Sequence, residues 1–406
     1  MILILDSVGI LLLLAVSLLA VYQWTFALAS MLATKDHTST SPSDWLRFLI
    51  LIPAHNEAAT LPQTLESIAN IDYPKNLLQV IVVADRCQDD TATVVRSYGA
   101  DCLERSSGPS GKGAVISWAI PQVLPYSRPF DGMVILDADT RVDSRLLEAF
   151  NDGLISGHQV QQAYNYIANP WETPFTRIIA VTSLLRNALF YSGKTWLGLS
   201  GMLMGTGMCF SRQVLERHGW TAFSVGEDWE FSVCLLLKGE HIYFNANAKV
   251  HPVESRGFAQ ASSQRLRWAS GRHAVAFRSA WALLSQGIRH RRLSLVDAMV
   301  TLVAPNYSTQ ATVTICCLVA AWYLSADPVW HILLVWSLIL TGSFTAYFLL
   351  GVAHTSAPLR TLTGIALIPI FLPWRLVIEV LGLIGFGRSR WIRTSRLPTP
   401  GDEAIH

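Results

Sequence analysis

From Ile2 to Leu32 the chain carries a single charged residue, Asp6. An apolar run of this length exceeds the roughly 20 residues that a helix needs to cross a bilayer. A cleaved signal peptide would start with basic residues, keep a shorter apolar core and end at a small-residue cleavage site. Here the start lacks Lys and Arg, and Lys35 follows the run. The reading is an uncleaved anchor over residues 1–34, and the positive-inside rule puts the segment after it in the cytoplasm. Two more apolar runs, Ala298 to Leu324 and Val329 to Ala353, are expected to span, joined by the short turn Ser325-Ala326-Asp327-Pro328. A further stretch, Thr361 to Phe386, is interrupted by Pro369, Pro373, Arg375 and Glu379, which suits an interfacial or re-entrant helix better than a clean span. Three spans then keep the basic tail of residues 388–406, with Arg388, Arg390, Arg393 and Arg396, in the cytoplasm.

Composition agrees with a membrane protein that carries one sizeable water-soluble domain. The 406 residues are 51% hydrophobic and only 15% charged, where soluble domains carry about 25% charged residues. A net charge of +2 argues against a nucleic-acid binder, whose footprint is strongly basic. Cys87, Cys102, Cys209, Cys234, Cys316 and Cys317 show neither metal-ligand spacing nor a CxxC pair and read as reduced thiols.

Between residues 45 and 255 short apolar runs alternate with helical patterns. Arg47–Ile52, Leu78–Val83, Asp101–Glu104 and Gly132–Leu136 read as strands. Thr91–Tyr98, Lys112–Leu124 and Ser144–Ile155 read as helices, and Pro62 suits the first turn of another. Strands alternating with helices predict an α/β domain with a mainly parallel sheet covered on both faces. Ligands of such sheets bind at the carboxyl ends of the strands. The polar residues His55-Asn56-Glu57, Asp85 and Asp137-Ala138-Asp139 fall at those ends. Neither GxGxxG nor GxxxxGK[ST] is present, so a Rossmann dehydrogenase or P-loop reading has no support.

Asp137 and Asp139 are two apart after an apolar strand, and in extended chain such residues share a face. Converging carboxylates repel unless a cation sits between them, and Mg²⁺ takes one or two carboxylates and fills its shell with water and phosphate. A solvated turn is the plainer alternative for a lone Asp-x-Asp. Glu227-Asp228 after Gly226 reads either as acids favoured in a helix's first turn or as a general base for a hydroxyl nucleophile. Gln264-Arg265-Leu266-Arg267-Trp268 lies in a stretch, Ser255 to Val296, rich in Arg and free of acids up to its end. Part of that charge is ordinary juxtamembrane bias, but Arg suits phosphate and a Trp face suits a sugar ring. Lys112, opening a helix after Ser110-Gly111, is a candidate phosphate contact.

Taken in order, Pro53-Ala54-His55-Asn56-Glu57, Asp85, Lys112, Asp137-Ala138-Asp139, Gly226-Glu227-Asp228 and Gln264-Arg265-Leu266-Arg267-Trp268 resemble the membrane-embedded members of glycosyltransferase family 2. That group includes the cellulose, chitin, hyaluronan and poly-N-acetylglucosamine synthases and ceramide glucosyltransferase. The resemblance covers roughly residues 47–275, and its last motif enters the membrane region. It implies a GT-A type nucleotide-sugar-binding domain over 45–255, amphipathic interfacial helices over 256–296 and a membrane region over 297–387. Carried over by position, Pro53, Ala54, His55, Glu57 and Asp85 would hold the uridine of a UDP-sugar. Lys112 and Asp137 would face the diphosphate and ribose, and Asp139, with Asp137, would bind Mg²⁺ or Mn²⁺. Glu227 would border the substrate, and Asp228 would be the general base. Arg267 would meet the diphosphate, with Trp268 and Gln264 along the acceptor.

The implied reaction is inverting transfer of a hexose or N-acetylhexosamine from the UDP-sugar to a growing β-linked saccharide. The rival is transfer of one sugar to a membrane lipid, as in ceramide glucosyltransferase. Two positions depart from the pattern. Gly226 stands where the acidic motif usually has Thr or Glu, and Gly205-Thr206-Gly207-Met208-Cys209 lacks the cellulose-type Phe-Phe-Cys-Gly-Ser. So few spans also suit a short or lipid-linked product, or a channel shared with an export partner or a second copy. A catalytically silent scaffold is disfavoured, because Asp139, Asp228 and Arg267 are all retained. The expected location is a bacterial inner membrane, with the catalytic domain in the cytoplasm.

Overall fold

The computed structural model describes residues 2–32, 45–125 and 129–386; Lys35 and the basic tail of 388–406 lie outside the described residues. After α1 (Ile2–Leu32) the chain alternates β1 (Phe48–Ala54), α2 (Leu61–Ala69), β2 (Leu78–Asp85), α3 (Thr91–Ser97), β3 (Asp101–Arg105), α4 (Lys112–Val123) and β4 (Gly132–Ile135). Next come β5 (Thr140–Val142), α5 (Leu146–Ile155), β6 (Val160–Asn165) and α6 (Pro174–Leu184), which continues through a wider π turn, Leu185–Tyr191, into α7 (Ser192–Trp196). β7 (Met208–Ser211), α8 (Arg212–His218), α9 (Glu227–Leu237) and β8 (Ile242–Pro252) complete the domain. The helices α10 (Phe258–Arg289), α11 (Leu293–Val303), α12 (Tyr307–Leu324), α13 (Pro328–Ala353), α14 (Pro358–Leu362) and α15 (Ile368–Leu383) follow.

The eight strands form one sheet in the order β3-β2-β1-β4-β7-β6-β8-β5. The pairs β1–β2, β1–β4, β2–β3 and β6–β8 are parallel. β7 runs antiparallel between β4 and β6, and β5 is antiparallel to β8. The mostly parallel α/β sheet expected from the alternation is therefore present, with a reversed strand at its centre. The period of two in β1 explains its burial on both faces. Phe48, Ile50 and Ile52 join Leu61, Leu65 and Ile68 of α2 and Phe150 of α5. Leu49 and Leu51 join Ile116 and Ile120 of α4 and Phe231 and Leu235 of α9.

Three helical segments, Ile4–Leu32, Pro328–Ala353 and Pro358–Leu383, are long and apolar enough to cross a membrane. The run Ala298 to Leu324, expected as one span, is instead broken into α11 and α12. Pro305 lies in the break, where it lacks an N–H and disfavours helix in the residue before it. Asn306 then caps α12 by accepting from Thr309 N at 3.1 Å. The stretch expected as an interfacial helix is a helical run of spanning length that starts in α14 and tightens through Thr363–Leu367. Pro369 falls in the first turn of α15, where its missing N–H has no intrahelical partner to lose.

A buried ion pair ties α1 to the α/β domain. Lys194 on α7 is fully buried and reaches Asp297 Oδ2 on α11 at 2.7 Å and donates to Thr301 Oγ1 at 2.8 Å. Tyr22 on α1 donates to Asp297 Oδ1 at 2.6 Å. The ammonium also faces the Phe190 ring at 5.3 Å.

Candidate active site

β2, β1 and β4 are adjacent and parallel, so their carboxyl ends form one edge. Pro53–Glu57 leaves β1, Asp85 closes β2, and Asp137–Asp139 follows β4. The β1 exit is cross-braced to the β2 exit. His55 Nδ1–H donates to Asp85 O at 2.6 Å, Glu57 N to Thr91 Oγ1 at 2.9 Å and Gln88 N to Asn56 Oδ1 at 2.7 Å. Asn56 and Arg86 both take positive φ, 54° and 49°, conformations that Asn tolerates well and Arg does not.

Asp85, a candidate donor contact, is 3% exposed. Its carboxylate is occupied by Arg105 Nη1 at 2.6 Å and Arg86 Nη2 at 2.7 Å. Neither arginine is marked by the sequence pattern; Arg86 follows Asp85 directly, and Arg105 is brought to it by the pairing of β3 with β2. Guanidinium groups therefore hold both Asp85 carboxylate oxygens in this structure.

β4 ends at Ile135, so Asp137 and Asp139 sit in the turn to β5 and not on extended chain. Thr140 N donates to Asp137 O at 3.1 Å. The same-face argument from strand period fails here, because pairing with β7 stops where the chain turns. What orients Asp137 is side-chain contact. Lys112 forms an ion pair with Asp137 Oδ1, and Lys112 Nζ also donates to Gly205 O at 2.6 Å. Thr206, a residue sequence reasoning did not single out, accepts from Asp137 N at 3.1 Å and bonds Thr140 Oγ1 at 3.0 Å. Burial works against the Lys112 charge, but Asp137, Glu227 and Asp228 outweigh it and raise its pKa.

Glu227 and Asp228 stand in the first turn of α9, not before it. Their side chains are half-buried, and Asp228 Oδ1 accepts from Trp229 N at 2.8 Å. Burial raises the Asp228 pKa, and Asp137 adds to that; burial and the neighbouring Asp228 charge raise that of Glu227. Asp228 faces the Asp137–Lys112 pair: a Cβ placed on Gly205 would lie 3.6 Å from Asp228 Oδ2 and 3.9 Å from Lys112 Nζ.

The third component arrives on α10. A Cβ on Gly271 would meet Gly226 N at 2.8 Å, and one on Gly226 would meet the Gly271 carbonyl carbon at 3.0 Å. The two backbones thus pack directly, which explains Gly226 where the acidic motif usually has a larger residue. One to two turns before this crossing, Gln264, Arg267 and Trp268 ride on α10. Trp268 is 42% exposed, and Arg265 lies 4.7 Å from its ring while bonding Glu254 at 2.5 Å. Arg267 is half-buried.

Among the described residues no three His, Cys, Asp or Glu gather to cage an ion. Asp137, paired with Lys112, and Asp139, two residues further along the same turn, nevertheless carry hard carboxylate oxygens. That donor set fits a divalent cation which completes its shell from diphosphate and water.

A family model described as "Glycosyltransferase like family 2" matches residues 46–271, more than half the chain. The chain is 27% identical over 236 residues to the probable glycosyltransferase YdaM of Bacillus subtilis, covering 56% of each protein. It is 29% identical over 262 residues to the β-monoglucosyldiacylglycerol synthase of Trichormus variabilis, covering 60% of this chain and 53% of that one. The chain spans about half the length of these curated relatives. Among solved structures, the mannosyltransferase PcManGT of Pyrobaculum calidifontis, in complex with GDP-Man and Mn²⁺, matches with a TM-score of 0.57. That likeness covers 94% of this chain and 99% of that one at 18% identity, and it shows a shared fold. With this sheet, these acidic turns and this family match, the chain belongs to glycosyltransferase family 2.

Proposed function

We propose that the protein is a membrane-bound, metal-dependent, inverting glycosyltransferase. It moves a hexose or N-acetylhexosamine from a UDP-sugar to an acceptor at the cytoplasmic face of the membrane. The observation that carries this reading is the gathering of Lys112, Asp137 and Asp228 around Gly205.

The β1 and β2 exits would take the nucleoside, with Lys112 and Arg267 supplying positive charge to the diphosphate. Asp137 and Asp139 would hold Mg²⁺ or Mn²⁺, which when bound neutralises charge on the leaving diphosphate. Asp228, raised in basicity by its surroundings, would take the proton from the acceptor hydroxyl as its oxygen bonds to the anomeric carbon. Attack on the face opposite the leaving group turns an α-linked donor into a β-glycoside.

A lipid acceptor, the rival reading from sequence, gains support from the packing. The base on α9 abuts α10, and α10 is bonded to the apolar helix α15 through Trp374 Nε1 to Ser262 Oγ, at 2.9 Å, and the Arg272–Glu379 pair. The base is therefore one helix away from a segment of spanning length, a short reach for a headgroup. A growing saccharide is the other outcome. The test supplies detergent-purified protein with Mg²⁺ or Mn²⁺, labelled UDP-sugars, GDP-mannose and membrane lipids, then separates products by size. A single labelled lipid formed from a UDP-sugar supports the lipid reading, a ladder supports the saccharide one, and exclusive use of GDP-mannose overturns the UDP assignment. No turnover with any donor overturns the enzyme reading.

A further inference from the structure

Arg375 stands on α15, inside one of the segments long and apolar enough to cross a membrane. Its Nη1 is buried without a hydrogen-bond partner. A guanidinium on such a helix with an unmet N–H is costly, and intramembrane charges normally face a partner or a substrate path. Its electrostatic neighbours are Arg265, Glu379, Arg272 and Glu254, and both acids are already engaged. Glu379 pairs with Arg272, accepts from Asn306 Nδ2 at 2.7 Å and lies 3.0 Å from His273 Nε2. Glu254 accepts from Arg265 at 2.5 Å.

The same group reaches toward the base. Arg186, in the π-turned stretch after α6, is exposed. Its charged neighbours are Arg265, Glu254 and Asp228. Arg265 Nε and Gln264 Oε1 are buried and unpartnered as well. Arg186, Arg265, Arg272 and Arg375 thus outnumber Glu254 and Glu379, leaving positive charge between α15 and Asp228. The missing partner is an anion, and guanidinium forks match phosphate geometry.

We infer that the acceptor is a phosphate-bearing lipid: its phosphate sits among Arg375, Arg265 and Arg186, and its accepting hydroxyl reaches Asp228. This rests on the glycosyltransfer reading and names its acceptor class. In the step, the hydroxyl oxygen bonds to the anomeric carbon. The bond from that carbon to the donor diphosphate breaks, its electron pair leaves on the diphosphate, and the hydroxyl proton passes to Asp228.

The test compares detergent micelles doped with phosphatidylglycerol, with polyisoprenyl-diphosphate-linked N-acetylglucosamine, or with diacylglycerol, the last bearing a hydroxyl and no phosphate. Sugar is expected on a phosphate-bearing lipid and not on diacylglycerol. Arg375→Gln and Arg186→Gln should each raise the acceptor KM roughly tenfold or more, the scale of one lost charge-assisted hydrogen bond, with the donor KM unchanged. Arg375→Lys should recover part of the loss, and unchanged elution and melting of each variant excludes misfolding. Diacylglycerol labelled as well as the phospholipids overturns the inference, as does phosphatidylglycerol that stimulates transfer without itself being labelled. Acceptor KM values unmoved in both Gln variants also overturn it. Wild-type protein that neither binds nor cleaves any nucleotide-sugar overturns the underlying glycosyltransfer reading instead.

Discussion

Asp228 and Asp139 are chemically alike, and the proposed mechanism gives them different work to match their different settings. Asp228 is half-buried at the start of a helix and faces a lysine–aspartate pair, whereas Asp139 follows a strand in a turn. Asp228→Asn keeps the shape and removes the base. Turnover is expected to fall by about 10²–10⁴-fold while nucleotide binding, followed by calorimetry, persists. Asp139→Ala should abolish metal-stimulated turnover, and either variant at wild-type rates would remove that residue from the mechanism. Because burial and Asp137 raise the Asp228 pKa, the active ionised form is lost at higher pH than for an ordinary Asp of about 3.9. The profile of kcat/KM should rise with pH through a midpoint above that value and then level off, and a limb centred at or below it would contradict the assignment. At this scale the residue types were legible in the sequence, because carboxylates and arginines in this order have few other uses. Their partners were not: Arg105 on Asp85 comes from β3, and Thr206 on Asp137 from the loop before β7, far along the chain.

Elements bring these residues within reach, and the crossing of α9 and α10 is the tightest example. Gly271→Ala puts a methyl 2.8 Å from a backbone nitrogen, which no rotamer change relieves. A loss of about 1–3 kcal/mol is expected, with lower turnover because Gln264–Trp268 ride on the displaced helix. Gly257→Ala, where a Cβ meets nothing within 4 Å, is the control at the N-cap of the same helix. Equal melting temperatures and rates for the two variants would refute the packing argument. The period-two pattern of β1 and the helix pattern of α4 were legible because each follows from local burial. The early end of β4 was not, since it depends on where β7 stops pairing.

At the scale of the whole molecule, the long apolar helix α1 is held to the α/β domain by buried polar contacts. Lys194 and Asp297 form a fully desolvated pair that Tyr22 of α1 completes. Removing one partner leaves a buried charge, so Lys194→Met should destabilise by about 3–5 kcal/mol, read as a lower melting temperature in detergent, and Lys194→Met/Asp297→Leu should lose less. A single variant that melts like the wild type would show that the pair does not hold α1. By itself the sequence determined the class of protein: apolar runs long enough to cross a bilayer, an alternating α/β middle, and an ordered set of acids, arginines and a tryptophan. Those properties reside in local composition and spacing. The tertiary structure alone decided that two arginines hold Asp85 while Asp228 faces the Lys112–Asp137 pair, why glycine precedes Glu227, and that α11 and α12 break at Pro305. Such facts depend on contacts between segments far apart in the chain, and no local pattern encodes them.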